Sequence, residues 1–325
     1  MLRKSIFGLA LLLSSIALAA QDRSQPQKQD KDKDYTLNVD ALEVQLPVSV
    51  LDKEGRPIDG LKQEHFQVFE DKVLQVIKTF RHEDIPLSLG LVIDNSGSMR
   101  NKRERVNSSA LAFVRESNPE DETFIINFDD SAYLEQDFTG SIGDLIDALE
   151  NIDARGETAL YDALYLASDK VTKDGKKDKK ALLVITDGED TASKYGINKV
   201  IEALRQSKVT LYAVGLLEED DQRGGLFKKA PSKKAKEDLQ KFAEVTGGQA
   251  FFPKSLDEVE ELVKNIAHDL RNHYTISYTP SNTKLDGTWR EVTVKINPPK
   301  NTPKFTYHTK PGYRAPNPDR VSTNQ

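Results

Sequence analysis

The sequence predicts an α/β fold, a doubly wound and mostly parallel sheet inserted into a small β-sandwich. Between residues 86 and 269, short apolar segments alternate with amphipathic segments of helical period, as in parallel sheets. Residues 35–85 and 270–314 consist of short alternating runs punctuated by Gly and Pro, which is typical of antiparallel strands. Each end segment has only about fifty residues and would bury a thin core alone. We therefore expect the two segments to form one sandwich; the alternative is two separate β modules.

The central region contains candidate strands and helices in alternation. The strands are LSLGLVID, ETFIINF, KALLVITD, VTLYAVG and GQAFF. The helices are MRNKRERVNSSALAFVRES, SIGDLIDALENI, TALYDALYLASDKV, GINKVIEALRQS, KEDLQKFAEVT and LDEVEELVKNIAHDL. Two of the strands are almost continuously apolar, as expected where both faces of a sheet are covered. This order favours parallel strands joined by right-handed crossovers.

The end segments contain shorter runs with strand character. They are VQLPVSVLD, HFQVFED and VLQVIKTF in the first segment, and HYTISYTP, WREVTVKINP and KFTYHT in the second. KLDGTW lies between two of these runs and is predicted to be a hairpin turn. Two basic stretches, 173–180 and 218–236, are predicted to be flexible, solvated inserts, the second long enough to face a partner.

The first twenty residues have the pattern of a secretory signal peptide. Arg3 and Lys4 precede the apolar run Ile6 to Leu18, and small residues favour cleavage near Ala19–Gln21. The alternative is an uncleaved anchor, but the run is shorter than the ~20 residues that a membrane span needs. We expect a mature chain without a transmembrane segment that is secreted, or periplasmic to extracellular. Residues 21–34 and 315–325 are predicted to be a disordered linker and tail.

Composition excludes several classes of function. The 325 residues include no cysteine, so disulfides, thiol nucleophiles and thiolate metal sites are impossible. The five histidines form neither HxxxH nor HExxH, which argues against a zinc enzyme. A formal net charge of −6 argues against general binding of nucleic acid. Nothing in the sequence indicates the oligomeric state.

The stretch DNSGS, residues 94–98, follows the apolar strand LSLGLVI and carries the most specific signal. Ligands of doubly wound sheets bind at the carboxyl ends of the strands. Alternate residues of an extended turn face the same way, so Asp94, Ser96 and Ser98 can converge on one point. Thr158 in RGETALYDAL and Asp187 in LLVITDGED lie where they can reach the same crevice. DNSGS alone also fits a turn with a helix N-cap.

Oxygen ligands of low total charge suit Mg²⁺, or Mn²⁺ or Ca²⁺. Asp94, Ser96, Ser98, Thr158 and Asp187 together resemble the metal-ion-dependent adhesion site (MIDAS) of von Willebrand factor type A domains. The resemblance covers roughly residues 86–269. It implies that the two serines and the threonine bind the metal directly, and that the two aspartates act mainly through water.

The segments around this region also resemble a bacterial secreted subgroup of acidobacterial type. The quoted stretches are VSVLDKEGRPIDGL with FQVFED, and LRNHYTISYTP with GTWREVTVKI. Glu157 departs from the family pattern, which often has a small residue there.

We therefore expect a divalent-cation-dependent protein-binding or adhesion module, not an enzyme. Because neutral hydroxyls leave the cation much of its charge, an exposed Asp or Glu of a protein partner could complete its coordination. The alternatives are a cell-envelope scaffold with a stabilising metal and, less favoured, a Mg²⁺-dependent hydrolase. A haloacid-type phosphatase would need a carboxylate where Ser96 stands, and a serine hydrolase would need GxSxG and a suitably placed histidine.

Overall fold

The structure is a computed structural model that describes residues 43–317, apart from 54, 83, 117, 151–153 and 218–230. The predicted signal peptide, linker, most of the tail and most of the longer insert lie outside the described residues. All described residues belong to one compact unit of the chain, Val39–Gln325. None of the helices among these residues combines the length and the apolar character that crossing a membrane requires.

The described residues form fourteen strands and six α-helices. The strands are β1 Val44–Asp52, β2 Phe66–Glu70, β3 Val73–Gln75, β4 Ile77–Arg81, β5 Leu87–Asp94, β6 Glu122–Phe128, β7 Ala132–Thr139, β8 Lys179–Thr186, β9 Thr210–Gly215, β10 Ala250–Phe251, β11 Tyr274–Tyr278, β12 Trp289–Ile296, β13 Phe305–Thr309 and β14 Gly312–Arg314. The helices are α1 Arg103–Arg115, α2 Ile142–Glu150, α3 Leu160–Asp174, α4 Ile197–Gln206, α5 Pro231–Thr246 and α6 Val259–Asn272.

The central sheet has the order β10-β9-β8-β5-β6-β7. All neighbouring pairs are parallel except β6 and β7. This confirms the predicted doubly wound, mostly parallel sheet and all five predicted strands. The sixth strand, β7, was not predicted, because its sequence AYLEQDFT is charged and mostly half-exposed or exposed at the sheet edge.

Both faces of the central sheet are covered by helices. One apolar cluster joins the sheet to α1, α2 and α6, and the other joins it to α3, α4 and α5. Every residue of β5 is buried, which explains why its sequence is a continuous apolar run. Burying a large aliphatic side chain stabilises a fold by about 1.5–3 kcal/mol. This packing holds the strand ends, and therefore the loops that follow them, in fixed positions.

The end segments form two four-stranded antiparallel sheets around a shared apolar core. Their orders are β13-β1-β11-β4 and β14-β12-β2-β3. Strands from before and after the central region pair with one another, since β1 lies between β11 and β13 and β12 pairs with β2. The prediction of one sandwich made from both ends is confirmed, and the alternative of two separate β modules is wrong.

Three local predictions are wrong. KLDGTW does not close a hairpin, because β11 and β12 belong to different sheets and β11 already pairs on both edges. The stretch 173–180 is not a long insert, since α3 runs to Asp174 and β8 begins at Lys179. The Lys179 ammonium is buried and donates to the carbonyl oxygen of Leu270 at 2.8 Å. The last residues of the predicted insert 218–236 belong to α5.

Candidate metal centre

The predicted site residues lie at the carboxyl end of the central sheet, the edge where its parallel strands finish. β5 ends at Asp94, and its neighbour β8 ends at Thr186, directly before Asp187. Because the two strands are adjacent and parallel, the loops that follow them are also adjacent. Thr158 belongs to the segment that enters α3, whose first residue is Leu160.

Four of the five predicted residues form one chain of hydrogen bonds. The Ser96 backbone N–H donates to Asp94 Oδ1 at 2.8 Å. The Ser96 and Ser98 hydroxyl oxygens are 3.0 Å apart, and the Ser98 hydroxyl donates to Asp187 Oδ1 at 2.7 Å. The spacing of DNSGS therefore brings both serine hydroxyls to the loop after β8, as the sequence predicts.

Thr158 lies against the same loop. A Cβ at Gly188, the residue after Asp187, would be 3.5 Å from Thr158 Oγ1. The Thr158 side chain is buried, and its backbone N–H donates to Thr191 Oγ1 at 3.1 Å. Thr191 in turn donates its own N–H to the Thr158 carbonyl at 2.9 Å. These bonds fix the loop that carries Thr158 to the loop that carries Asp187.

Asp94 is the most enclosed member of the set. It is 1% exposed, and its Oδ2 accepts a hydrogen bond from the Thr186 hydroxyl at 2.5 Å. Burial raises the pKa of Asp94 to about 6, against the opposing effect of hydrogen bonds from Ser96 and Thr186. Positive charge close to this carboxylate would favour its ionised form.

Three groups that shape the site are not among the residues predicted from the sequence. The Lys102 ammonium lies 2.7 Å from Asp187 Oδ2, and the Asp187 side chain is 1% exposed. Thr186 orients Asp94, as described above. Asp130 accepts the backbone N–H of Glu157 at 2.7 Å and so supports the loop before Thr158. Gly156 has a φ of +71°, and a Cβ there would collide with the Asp130 carboxylate.

One of these three groups could have been found by pattern. The acidic pair in NFDDSA directly follows β6, whose carboxyl end lies beside that of β5. Lys102 and Thr186 carried no comparable signal, because lysine in a helical segment and threonine in a strand are both ordinary.

The donor set suits a hard cation. The five side chains offer three hydroxyl and two carboxylate groups, all of them oxygen donors. Among the described residues, no group of three or more His, Cys, Asp or Glu side chains is placed to hold a metal ion. The hydroxyls are therefore needed to complete any coordination at this edge. The identity of the ion stays a prediction.

The central region is therefore a doubly wound α/β domain with a hydroxyl-rich cluster of oxygen atoms in the loops that follow β5 and β8. Residues 89–189 match a family model described as von Willebrand factor type A domain. The matched region includes all five predicted site residues. The match supports a protein that carries a von Willebrand factor type A domain.

Similarity to individual proteins is more distant. An uncharacterized protein of Synechocystis sp., sll0103, is 34% identical over 110 residues, which are 33% of this chain and 26% of that protein. A solved von Willebrand factor type A structure from Catenulispora acidiphila is 12% identical with a TM-score of 0.49, covering 84% of this chain and 63% of that one. The vWF domain of the type V pili tip protein Mfa5 from Porphyromonas gingivalis is 12% identical with a TM-score of 0.45, covering 57% and 94%. At these identities and scores, neither structural likeness bears on function.

Proposed function

We propose that this chain is an exported, divalent-cation-dependent protein-binding module of the adhesion type. The observation that carries the proposal is the hydrogen-bonded chain from Asp94 through Ser96 and Ser98 to Asp187, with Thr158 against the next residue of the same loop. Domains of the matched family typically take part in adhesion or protein interaction.

The residues have distinct roles in this proposal. The hydroxyls of Ser96, Ser98 and Thr158 would hold Mg²⁺, or Mn²⁺ or Ca²⁺, and the two aspartates would act mainly through water. The bound ion would supply a Lewis acid with a coordination position open to a carboxylate of the partner. The three neutral hydroxyls leave the charge of the ion largely uncompensated, which favours an Asp or Glu side chain as the completing ligand. The exposed position of Ser98 makes this edge accessible to such a group.

Calorimetric titration of Mg²⁺, Mn²⁺ and Ca²⁺ into the purified chain tests the metal site. Ser96→Ala should weaken binding by at least about tenfold, because it removes one ligand oxygen. Ser108→Ala is the matched control, since Ser108 is an exposed serine on α1. Equal metal affinity in the Ser96 variant and the wild type would contradict the site.

The partner is tested separately with immobilised acidic peptides and their Asn and Gln counterparts. Capture should require both the metal and the carboxylate, so a chelator and the amide peptides should each abolish it. Metal binding combined with chelator-insensitive capture would reject the proposed recognition mode.

One contact favours a second candidate, a scaffold in which no exchangeable metal takes part. The Lys102 ammonium already provides a positive charge 2.7 Å from Asp187 Oδ2. If this ion pair is the permanent partner of Asp187, the titration should show no saturable metal binding, and removal of Lys102 should destabilise the fold instead.

Export is part of the proposal and rests on the sequence of residues 1–20. Expression of the full chain and of a form with Arg3 and Lys4 replaced by Glu, followed by cell fractionation, tests it. We expect the first form outside the cytoplasm and the second form inside it.

A further inference from the structure

A cavity of about 380 Å³ lies at the amino end of the central sheet, the edge opposite the candidate metal centre. It is bounded by the residues that precede β8 and β9 and by the first residues of β1 in the sandwich. Its size falls within the usual range for small-molecule sites, roughly 300–1,000 Å³. Apolar side chains form part of the wall, among them Val44, Leu46 and Ile85.

The remaining wall is strongly cationic. Seven Lys and Arg side chains line the cavity, against the two carboxylates Glu43 and Asp178. Glu43 contacts Lys78 at 3.9 Å and the Ser277 hydroxyl, both outside the cavity, and the charge of Arg81 in the cavity wall also acts on it. Of the seven cations, Arg314 alone has an ion-pair partner within the part of the chain that the structure describes, and that partner is Glu202 at 3.0 Å.

Three of these cations have a structural role that explains their presence. The ammonium groups of Lys179, Lys180 and Lys310 donate to carbonyl oxygens of Leu270, Gly175 and Ser207, at 2.8, 2.6 and 2.9 Å. These carbonyls lie at the carboxyl ends of α6, α3 and α4, where cations are favourable. Because these carbonyls are neutral, they fix the positions of the three ammonium groups but do not neutralise their positive charge.

The other three cations, Arg81, Arg205 and Lys208, donate no hydrogen bond to a helix-end carbonyl in the described structure. Arg81 and Lys208 are exposed, and Arg205 lies in the last turn of α4, where a cation is favourable. Among the described residues, none of them has an ion-pair partner within 4.0 Å. Arg205 lies over the Trp289 ring at 4.9 Å, and its buried Nε has no hydrogen-bond partner in the described structure. The cavity also contains His273, which is 4% exposed and whose Nδ1 is likewise buried and without a partner.

Burial lowers the pKa of Lys179 and of Lys310 to about 8, and it holds the pKa of His273 well below its usual value. The largest cause in each case is burial, and for Lys179 three carboxylates act in the opposite direction, those of Asp84, Asp269 and Asp121. A neutral His273 retains one N–H that can serve as a hydrogen-bond donor.

We propose that this cavity is a binding site for a small organic phosphate, with the phosphate against Arg81, Arg205 and Lys208 and the organic part against the apolar wall. Three cations from two separate segments, β4 and the end of α4, suit a dianionic head better than a single carboxylate, since guanidinium and ammonium groups bind phosphate oxygens strongly. The site lies at the opposite edge of the sheet from the candidate metal centre, so the proposal does not depend on the proposed adhesion function.

Calorimetry with phenyl phosphate in buffer free of divalent cations and phosphate tests the proposal. Phenyl phosphate should bind saturably and more tightly than inorganic phosphate, because only the former can use the apolar wall. The double variant R81Q/K208Q should lose at least about tenfold in affinity. The control variant K300Q/K304Q removes the same charge from two exposed lysines after β12 and should bind like the wild type.

A second measurement separates the site from a folding effect. Thermal melting of ligand-free R81Q/K208Q should occur close to the wild-type temperature, because Arg81 and Lys208 are both exposed. Absence of saturable phenyl phosphate binding, or equal affinity in the double variant and the wild type, would overturn the proposal. Benzoate binding as tight as phenyl phosphate binding would also overturn it, since a carboxylate would then suffice.

Discussion

The two ends of the central sheet have opposite chemistry. The carboxyl end carries Asp94 and Asp187 with serine and threonine hydroxyls, whereas the amino end carries lysine and arginine side chains. The direction of the chain explains much of this difference. Helices return antiparallel to the strands, so their amino ends, which favour negative charge, lie at the carboxyl end of the sheet. Asp190 illustrates this by accepting the N–H of Tyr161 in the first turn of α3.

At each end of the sheet, some polar side chains stabilise the fold and others are left available for a ligand. At the amino end, lysines satisfy the helix carbonyls, and Arg81, Arg205 and Lys208 remain. At the carboxyl end, carboxylates hold the loops, and the hydroxyls of Ser96 and Ser98 remain beside Asp187. The groups that remain at the amino end would suit an anion, and those that remain at the carboxyl end would suit a cation.

Loosening the sandwich is the strongest test of whether the two ends are independent. Asp269 in α6 is 4% exposed and accepts the hydroxyls of Ser49 at 2.6 Å and Tyr212 at 2.5 Å. Asp269→Ala leaves both buried hydroxyls without their acceptor, so the free energy of unfolding should fall by about 3 kcal/mol. Urea unfolding measures this change.

The same variant, Asp269→Ala, also tests whether a change at a distance alters the proposed metal site at the carboxyl end of the sheet. Magnesium affinity of folded Asp269→Ala should stay within about twofold of the wild type, since distant sites rarely couple. A larger change would show that the ends communicate. Asp257→Ala is the control for the unfolding measurement, because its side chain is 81% exposed in a pair with Arg105 and should matter by less than about 1 kcal/mol.

The buried Lys179 at the amino end should make the stability of the fold depend on pH. Burial lowers the pKa of Lys179 to about 8, and Asp84 acts in the opposite direction. Between about pH 8 and pH 10 the unfolded chain keeps this proton while the folded chain releases it. Stability should therefore rise with pH in this window by roughly 2 kcal/mol, and this contribution is lost as pH falls through 8.

Urea unfolding at pH 7.5, 8.5 and 9.5, in a buffer without phosphate, measures that rise. Lys179→Met should reduce the rise without abolishing it, because burial also lowers the pKa of Lys310 to about 8, whereas Lys300→Met, at an exposed position, should keep the rise in full. An identical pH dependence in Lys179→Met and the wild type would show that Lys179 does not titrate in this range.

Lys102 allows a smaller test at the carboxyl end. Its ammonium and the proposed metal both use the negative charge of Asp187. Lys102→Met should therefore raise magnesium affinity by about fivefold, because one competing cation is removed. Titration calorimetry measures the effect. A lower affinity would instead mean that the ammonium positions the carboxylate for the metal.

The sequence predicted the elements whose residues carry the signal locally. β5, β8 and β9 are apolar on both faces, and the helices between them keep a period of 3.6, so their type and order follow from the local hydrophobic pattern. β7 lacked this signal because it is an exposed edge strand. The turn KLDGTW was misread because strand pairing is decided by distant partners, which for β11 are β1 and β4.

In the candidate site, too, some features are recognisable from local sequence and others depend on distant segments. DNSGS and Asp187 are recognisable from their positions at strand ends and Thr158 from its position before a helix, and the structure brings them to one edge. The pairing of Lys102 with Asp187 depends on loops separated by 85 residues. The cationic cavity was not predicted for the same reason, since its lysines and arginines come from segments that are far apart in the sequence.

The interleaved sandwich has a consequence for the order of folding. Val44 in β1 lies opposite Tyr278, and Val48 lies opposite Thr309, so these contacts close very long loops. Such closure is slow when the intervening chain is unfolded. Prior folding of the central region brings its two ends together and shortens the search. During synthesis, β1, β2 and β4 therefore lack their partners β11 to β13 until the end of the chain is made. In this period their unpaired edges expose the nascent chain to aggregation.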